Sequence, residues 1–146
     1  MHAPTAHFHC RPATPEDYPI LADIYHLCKE KADWLPSISK VNADFTRDTA
    51  GERLFVVHEF DDPPLGFAAV WEQDTFIHHL FIHPSAQSRG LGPLLLNSLA
   101  AFYPRPWRLK CTLANTRAMK FYLAHGWIEL EKGDGFDGPY ALLELA

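Results

Sequence analysis

Two glycines two residues apart, Gly90 and Gly92, close the stretch QSRGLG, residues 87–92, between an apolar run and a leucine-rich one. Glycine carries no Cβ, so a ligand can come directly against the main chain. If a helix starts here, its first N–H groups are unpaired and carry partial positive charge. Bare backbone at a helix start is a natural cradle for a phosphate or pyrophosphate. A plain strand-to-helix turn would use the same residue types, so the two glycines alone do not decide. Narrower phosphate signatures fail. A P-loop needs G-x-x-x-x-G-K-S/T, and no lysine follows Gly92 here. A dinucleotide fingerprint needs a third glycine, and Leu95 stands in its place.

The elements that would hold this turn are legible. FHCRPA, residues 8–13, reads as a short first strand. ATPEDYPILADIYHLCKEK reads as a helix, with Thr14 as N-cap, Pro15 at its first position and acids in its first turn. Ile20, Leu21, Ile24, Tyr25 and Leu27 recur at helical spacing. DWLPSISK breaks that pattern at Pro36, and DFTRDTAGERL has room for a short second helix. RLFVVHEF and GFAAVWEQ, separated by the turn DDPPLG, read as paired strands. TFIHHLFIH is a third, and its apolar character on both faces suits a central, twice-covered position. RGLGPLLLNSLAAFY is a helix, WRLKCTL a strand, NTRAMKFYLAHG a helix, and WIELEKG and YALLELA the last strands. The interleaving predicts an α/β fold, a central mixed and mostly antiparallel sheet flanked by helices. The whole chain, 1–146, reads as one domain whose first seven residues are a loose tail.

The sequence HLFIHPSAQSRGLGPLLL, with Q-x-x-G-x-G after a strand, resembles the coenzyme A loop of the GNAT N-acetyltransferase superfamily. ANTRAMKFYLAHGW matches that family's N-x-x-A-x-x-F-Y-x-x-x-G-F/W helix at the usual separation. The resemblance spans the chain from Phe8 to Leu145 and is sharp between Phe76 and Trp127. It implies acetyl-CoA as co-substrate, with the backbone of Gln87, Ser88, Arg89, Gly90, Leu91, Gly92 and Leu94 holding the pyrophosphate. The Arg89 side chain reads equally as a phosphate ligand or a solvated charge. The strand edge at Leu80, Phe81 and Ile82 would pair with the pantetheine amides as an added strand. An N–H near Leu80 would hold the oxyanion. Asn115 would cap the last helix and touch the cofactor. Pro93 departs from many members and removes one N–H donor; arylalkylamine N-acetyltransferases, by resemblance, share this G-x-G-P.

Within that resemblance Tyr122 is the proton donor to the departing thiolate; a packed core tyrosine is the alternative. An acceptor amine must be neutral to attack, so a base or a water chain is needed. His78 and His79 are candidates, with Glu72 a third. Neighbours on a strand point to opposite faces, so only one histidine should line a given cleft. Arylalkylamine N-acetyltransferases resemble this chain in having histidine at the position of His78, which favours His78; a hydrogen-bonded core histidine is equally compatible. Trp34, Leu35 and Pro36 would cover the acceptor pocket, or simply anchor the loop. Asp33, Asp44 and Asp74 are solvated acids by default.

Composition narrows the partners. Thirteen basic against eighteen acidic residues give a formal net charge of −5, which argues against a nucleic-acid binder. Cys10, Cys28 and Cys111 are odd in number, form no C-x-x-C and lie outside both motifs. Free thiols in a reducing cytoplasm are expected, with no metal site and no covalent nucleophile. No run reaches transmembrane length and no signal peptide core is present. The expected function is acetyl transfer from acetyl-CoA to a small-molecule or peptide primary amine by direct attack in a ternary complex. Its rivals are a non-catalytic acyl-CoA sensor on the same fold and, more distantly, a nucleotide-binding protein. A homodimer stands among the options for its assembly.

Overall fold

The structure, a computed structural model, describes residues 7–146. Residues 1–6 of the expected tail lie outside the described residues. His7 is tied down: its carbonyl accepts the Phe60 N–H at 2.9 Å, and its Nε2 lies 2.8 Å from Glu59.

Seven strands form one sheet: β1 (Phe8–Pro12), β2 (Arg53–Glu59), β3 (Gly66–Trp71), β4 (Phe76–Ile82), β5 (Trp107–Thr112), β6 (Ile128–Gly135) and β7 (Gly138–Leu145). Their spatial order is β1-β2-β3-β4-β5-β7-β6. Every neighbouring pair is antiparallel except β4 and β5, which are parallel. Among the described residues five α-helices join them: α1 (Tyr18–Lys31), α2 (Ser37–Val41), α3 (Phe45–Asp48), α4 (Leu91–Ser98) and α5 (Thr116–Ala124). The expected mixed α/β architecture is therefore present, with α2 as an addition inside the segment that breaks at Pro36. No helix among the described residues is long and apolar enough to cross a membrane.

The period-2 alternation of the strands divides the core between two faces. Leu54 and Val56 of β2, with Phe67 and Ala69 of β3, pack under Leu21, Ile24 and Tyr25 of α1 and Phe45 of α3. Phe55, Val57, Ala68 and Val70 turn the other way, against Leu91, Leu95 and Leu96 of α4 and Tyr122 of α5. Entry to α1 is fixed by charge. Thr14 N–H donates to the buried Asp17 carboxylate at 2.9 Å, and Arg11 donates to both its oxygens at 2.8 and 3.0 Å. The Arg11 hydrogen bond holds the Asp17 carboxyl below the usual carboxylate range despite its burial.

One departure from regular pairing makes the site. β4 is central, yet it meets β5 only at Phe76 and Arg108, after which the two parallel strands part. The expected twice-covered strand is thus half-open, and only Ile77 of β4 is fully buried.

Candidate functional site

The parting of β4 from β5 leaves one edge of β4 unpaired. His83 N–H donates to Leu65 at 2.7 Å, which fixes the alternation: Phe81 and His79 turn their main-chain groups to β3. Leu80 and Ile82 therefore turn theirs into the opening. The Ile82 carbonyl is already engaged there, accepting from the Gln87 side chain at 3.0 Å and the Cys28 thiol at 3.2 Å. What remains free on this edge is the main chain of Leu80 and the N–H of Ile82. Phe81, expected in the same row, contributes a ring on the α1 face instead, because period 2 excludes its main chain from the opening.

A cavity of about 790 Å³ continues from this edge to the start of α4. Gln87, Ser88, Gly90, Leu91, Gly92 and Asn115 all line it. Ser88 and Gly90 have φ of +66° and +78°, so the loop passes twice through left-handed geometry, the kind of backbone from which anion-binding concavities are built. A Cβ on Gly90 would meet nothing within 4 Å, and one on Gly92 only Ile82 at 4.0 Å; the space beside both opens outward. The N–H groups of Leu91 and Gly92 have no carbonyl one turn back. Pro93 has none to offer.

Two expected cradle residues are placed elsewhere. Leu94 N–H closes the first turn of α4 on the Gly90 carbonyl at 3.2 Å, so it is not free. The Arg89 guanidinium turns away, 3.3 Å from Glu59 and over the Phe8 ring at 5.1 Å. The cation at the loop is Arg117 of α5, which donates to Ser88 Oγ at 2.7 Å. The sequence reading passed over Arg117, although it sits inside the N-x-x-A motif. Asn115 caps α5, its Oδ1 accepting the Ala118 N–H at 3.3 Å.

Two further walls bear on chemistry. Tyr122 is buried, lines the same cavity and packs edge-on against Trp127 at 5.5 Å. Burial pushes its phenol well above the ordinary tyrosine range, so it remains a proton donor. Cys28, distant in sequence from both motifs, also lines the cavity. Burial pushes its thiol up to about 11, which leaves it a poor nucleophile at neutral pH. Trp34 and Leu35 line this cavity too, rather than the one that follows.

A second cavity, about 490 Å³, opens at the other end of β4. His78 and His79 both line it, against the alternation rule. The cause is a β-bulge: Val70 faces Ile77 and Ala69 faces His79, so His78 is an extra residue. The bulge flips the parity of the strand. Ile77 shares the α4 face with Leu80 and Ile82, and the two histidines fall on one side. Burial lowers the His79 pKa, which favours the neutral ring, and its Nε2–H donates to the Asp48 carbonyl at 3.1 Å. His78 is exposed, and its Nδ1–H donates to Glu52. Glu72 lies outside both cavities, accepting from Tyr103 at 2.6 Å. Asp44 caps α3.

The two cavities are neighbours. Residues 76, 78 and 79 line the second and residues 80–82 the first, and Lys29 of α1 lines both. Lys29 stands 4.0 Å from Asp137 of the β6–β7 turn and over the Tyr25 ring at 5.2 Å.

The sequence pattern of the acetyltransferase (GNAT) family matches residues 18–127. No curated protein matches the chain. Among solved structures, apo YjaB from Escherichia coli superposes with a TM-score of 0.79 at 20% identity, over 95% of this chain and 97% of that one. A GNAT acetyltransferase from Elizabethkingia anophelis with acetyl-CoA bound gives 0.72 at 15% identity, over 95% and 97%. A spermidine N-acetyltransferase variant from Vibrio cholerae gives 0.67 at 13%, over 95% and 93%.

Proposed function

The chain belongs to the GNAT acetyltransferase family, and we propose that it transfers the acetyl group of acetyl-CoA directly to a primary amine held in the second cavity. The observation that carries this reading is the meeting of two cavities along β4, at the step from His79 to Leu80. A donor lying along the open edge would bring its thioester to that step, and an acceptor amine would arrive from the histidine side.

Each group has a matching task. The left-handed Ser88–Gly90 loop, the free N–H groups of Leu91 and Gly92, and Arg117 suit a pyrophosphate. The Leu80 N–H suits the oxyanion of the tetrahedral intermediate. His78 takes one proton from the acceptor ammonium, the neutral amine attacks the thioester carbonyl, and the C–S bond breaks with the thiolate leaving, while the second proton shed by the amide nitrogen replaces the one that Tyr122 gives up. Tyr122 supplies the proton to that thiolate. A covalent route through Cys28, the one cysteine among the described residues that line the donor cavity, is disfavoured, since burial pushes its thiol up to about 11.

The acceptor wall favours a small amine of low charge. Lys29, Arg47 and Lys110 stand against Asp48 and Asp137, so the wall offers no acidic surplus to a polycation. The spermidine enzyme named above is therefore a guide to the fold and not to the acceptor.

The test is thiol release from acetyl-CoA with a panel of monoamines, amino acids, peptide amines and polyamines. Acceptor-dependent release with at least one monoamine, and weaker release with spermidine, supports the reading. Tight acetyl-CoA binding with no acceptor-dependent release across the panel would make the protein an acyl-CoA sensor.

A further inference from the structure

Glu52 is the most deeply buried carboxylate beside either cavity; its side chain is 3% exposed. It follows Gly51, whose φ of +81° turns the chain at the end of α3, and its own N–H is fixed to the Thr49 carbonyl at 3.0 Å. That turn sends the side chain inward beneath the bulge of β4. One carboxylate oxygen accepts from His78 Nδ1–H. The other, Oε1, lies 3.8 Å from His79 Nε2 and has no hydrogen-bond partner. Burying a carboxylate is costly, and leaving one of its oxygens unpaired adds to the cost. Such a group is unlike a structural ion pair, where geometry satisfies both oxygens. Here the carboxylate holds one of the two imidazoles that line the acceptor cavity.

We infer that Glu52 is a positioning residue for His78: by accepting its Nδ1–H it fixes the ring and the tautomer, so that the Nε2 lone pair is presented to the acceptor ammonium. The inference rests on the reading of His78 as base. The proton balance is simple. The ammonium N–H bond breaks, its proton goes to His78 Nε2, and the electron pair stays on the amine nitrogen that attacks. The imidazolium so formed sits beside the Glu52 carboxylate, which compensates its charge. His79 is less suited to this part, since its Nε2–H is engaged by the Asp48 carbonyl and burial lowers its pKa. The bulge serves the arrangement, because a regular strand would send His78 and His79 to opposite faces.

The experiment uses the full chain and an acceptor found by the panel above. Glu52→Ala and Glu52→Gln are compared with wild type, with His78→Ala, and with the double variant Glu52→Ala/His78→Ala. Heat denaturation establishes that each variant folds. Glu52→Ala is expected to lower kcat by at least about tenfold with little change in KM for acetyl-CoA. In ¹⁵N-labelled protein, His78 is expected as the Nδ1–H tautomer in wild type and as the Nε2–H tautomer in Glu52→Ala. The double variant should be no slower than His78→Ala, since Glu52 acts through His78. A further loss in the double variant equal to that in Glu52→Ala would overturn the inference, as would an unchanged His78 tautomer. Should Glu52→Ala not fold, Glu52→Gln carries the same kinetic test, and full activity in it overturns the inference. Full activity in His78→Ala would instead remove the base itself, a separate failure of the proposed mechanism.

Discussion

The Tyr122 hydroxyl is the clearest case for a single atom with a task. Its ring is core, packed on Trp127 and the sheet, while its edge faces the donor cavity. Burial raises its pKa, so loss of the proton occurs above the ordinary tyrosine value of 10.0 and the phenol is a donor throughout the neutral range. Tyr122→Phe keeps the ring. If the hydroxyl protonates the thiolate, kcat should fall by about 10²–10⁴-fold with acetyl-CoA affinity little changed. A donor with a better leaving thiol should shrink that loss. A variant within about twofold of wild type, with chemistry rate-limiting, makes Tyr122 a packing residue. Gly92 offers the complementary test on binding. Its Cβ position is clear to 4.0 Å, so Gly92→Asp should fold. It places an acid where a pyrophosphate would lie, and CoA affinity should fall at least about tenfold, near 1.4 kcal/mol. Unchanged affinity by calorimetry would place the cofactor elsewhere.

At the scale of elements, the β3–β4 pair carries the open edge, and Gly66 sets how closely its strands approach. A Cβ there would meet the Phe81 carbonyl at 2.7 Å and crowd the Ile82 side chain. Gly66→Ala should therefore cost about 1–3 kcal/mol of stability by overpacking, read as a lower urea midpoint, and should weaken CoA binding because Ile82 moves. Binding unchanged in a destabilised variant would separate the edge from the cofactor. The pair also shows where the sequence stops being informative. Strand and helix order followed from apolar period, turn residues and caps, and every long element was legible. α2 was not, because five residues with Ile38 and Val41 exposed carry no amphipathic stripe. The bulge was not, because FIHHLFI reads as a strand apolar on both faces apart from its histidines, and a two-against-one pairing depends on the partner strand. Nor was the parting of β4 from β5, since WRLKCT keeps a regular alternation and nothing local marks where two strands separate. Glu52 went unread for the same reason: its neighbours are set by tertiary packing, and in sequence it is one acid beside a glycine.

For the whole molecule, the same buried polar groups that organise the site should limit its pH range. His79 has its pKa lowered from 6.5 by burial, so the unfolded chain takes up this proton first as pH falls. The stability it contributes is present above pH 6.5 and is lost as pH falls through the lower folded value. Asp17 and Asp48 act later. Hydrogen bonds from Arg11 hold Asp17 down, while Asp48 is pushed up by burial but held lower on balance by Tyr25, the Asp44 N–H and Arg47. Their share is present above 3.8 and is lost below it. Tyr25 and Tyr103, both raised mainly by burial, retain their protons in the fold, and their share is lost only as pH rises above 10.0. Stability should thus be flat from about pH 7 to 9 and should fall first on the acid side, well before the carboxylates titrate. His79→Phe isolates the first step: it keeps a ring against Phe81, which His79 stacks on at 6.0 Å, and removes the proton site. It should start less stable, having lost the bond to Asp48. Its urea midpoint should then decline less between pH 7 and 5 than that of the wild type. Parallel declines in the two proteins would mean that His79 is not the group whose protonation opens the fold, and the neutral, buried state assigned to it would be wrong.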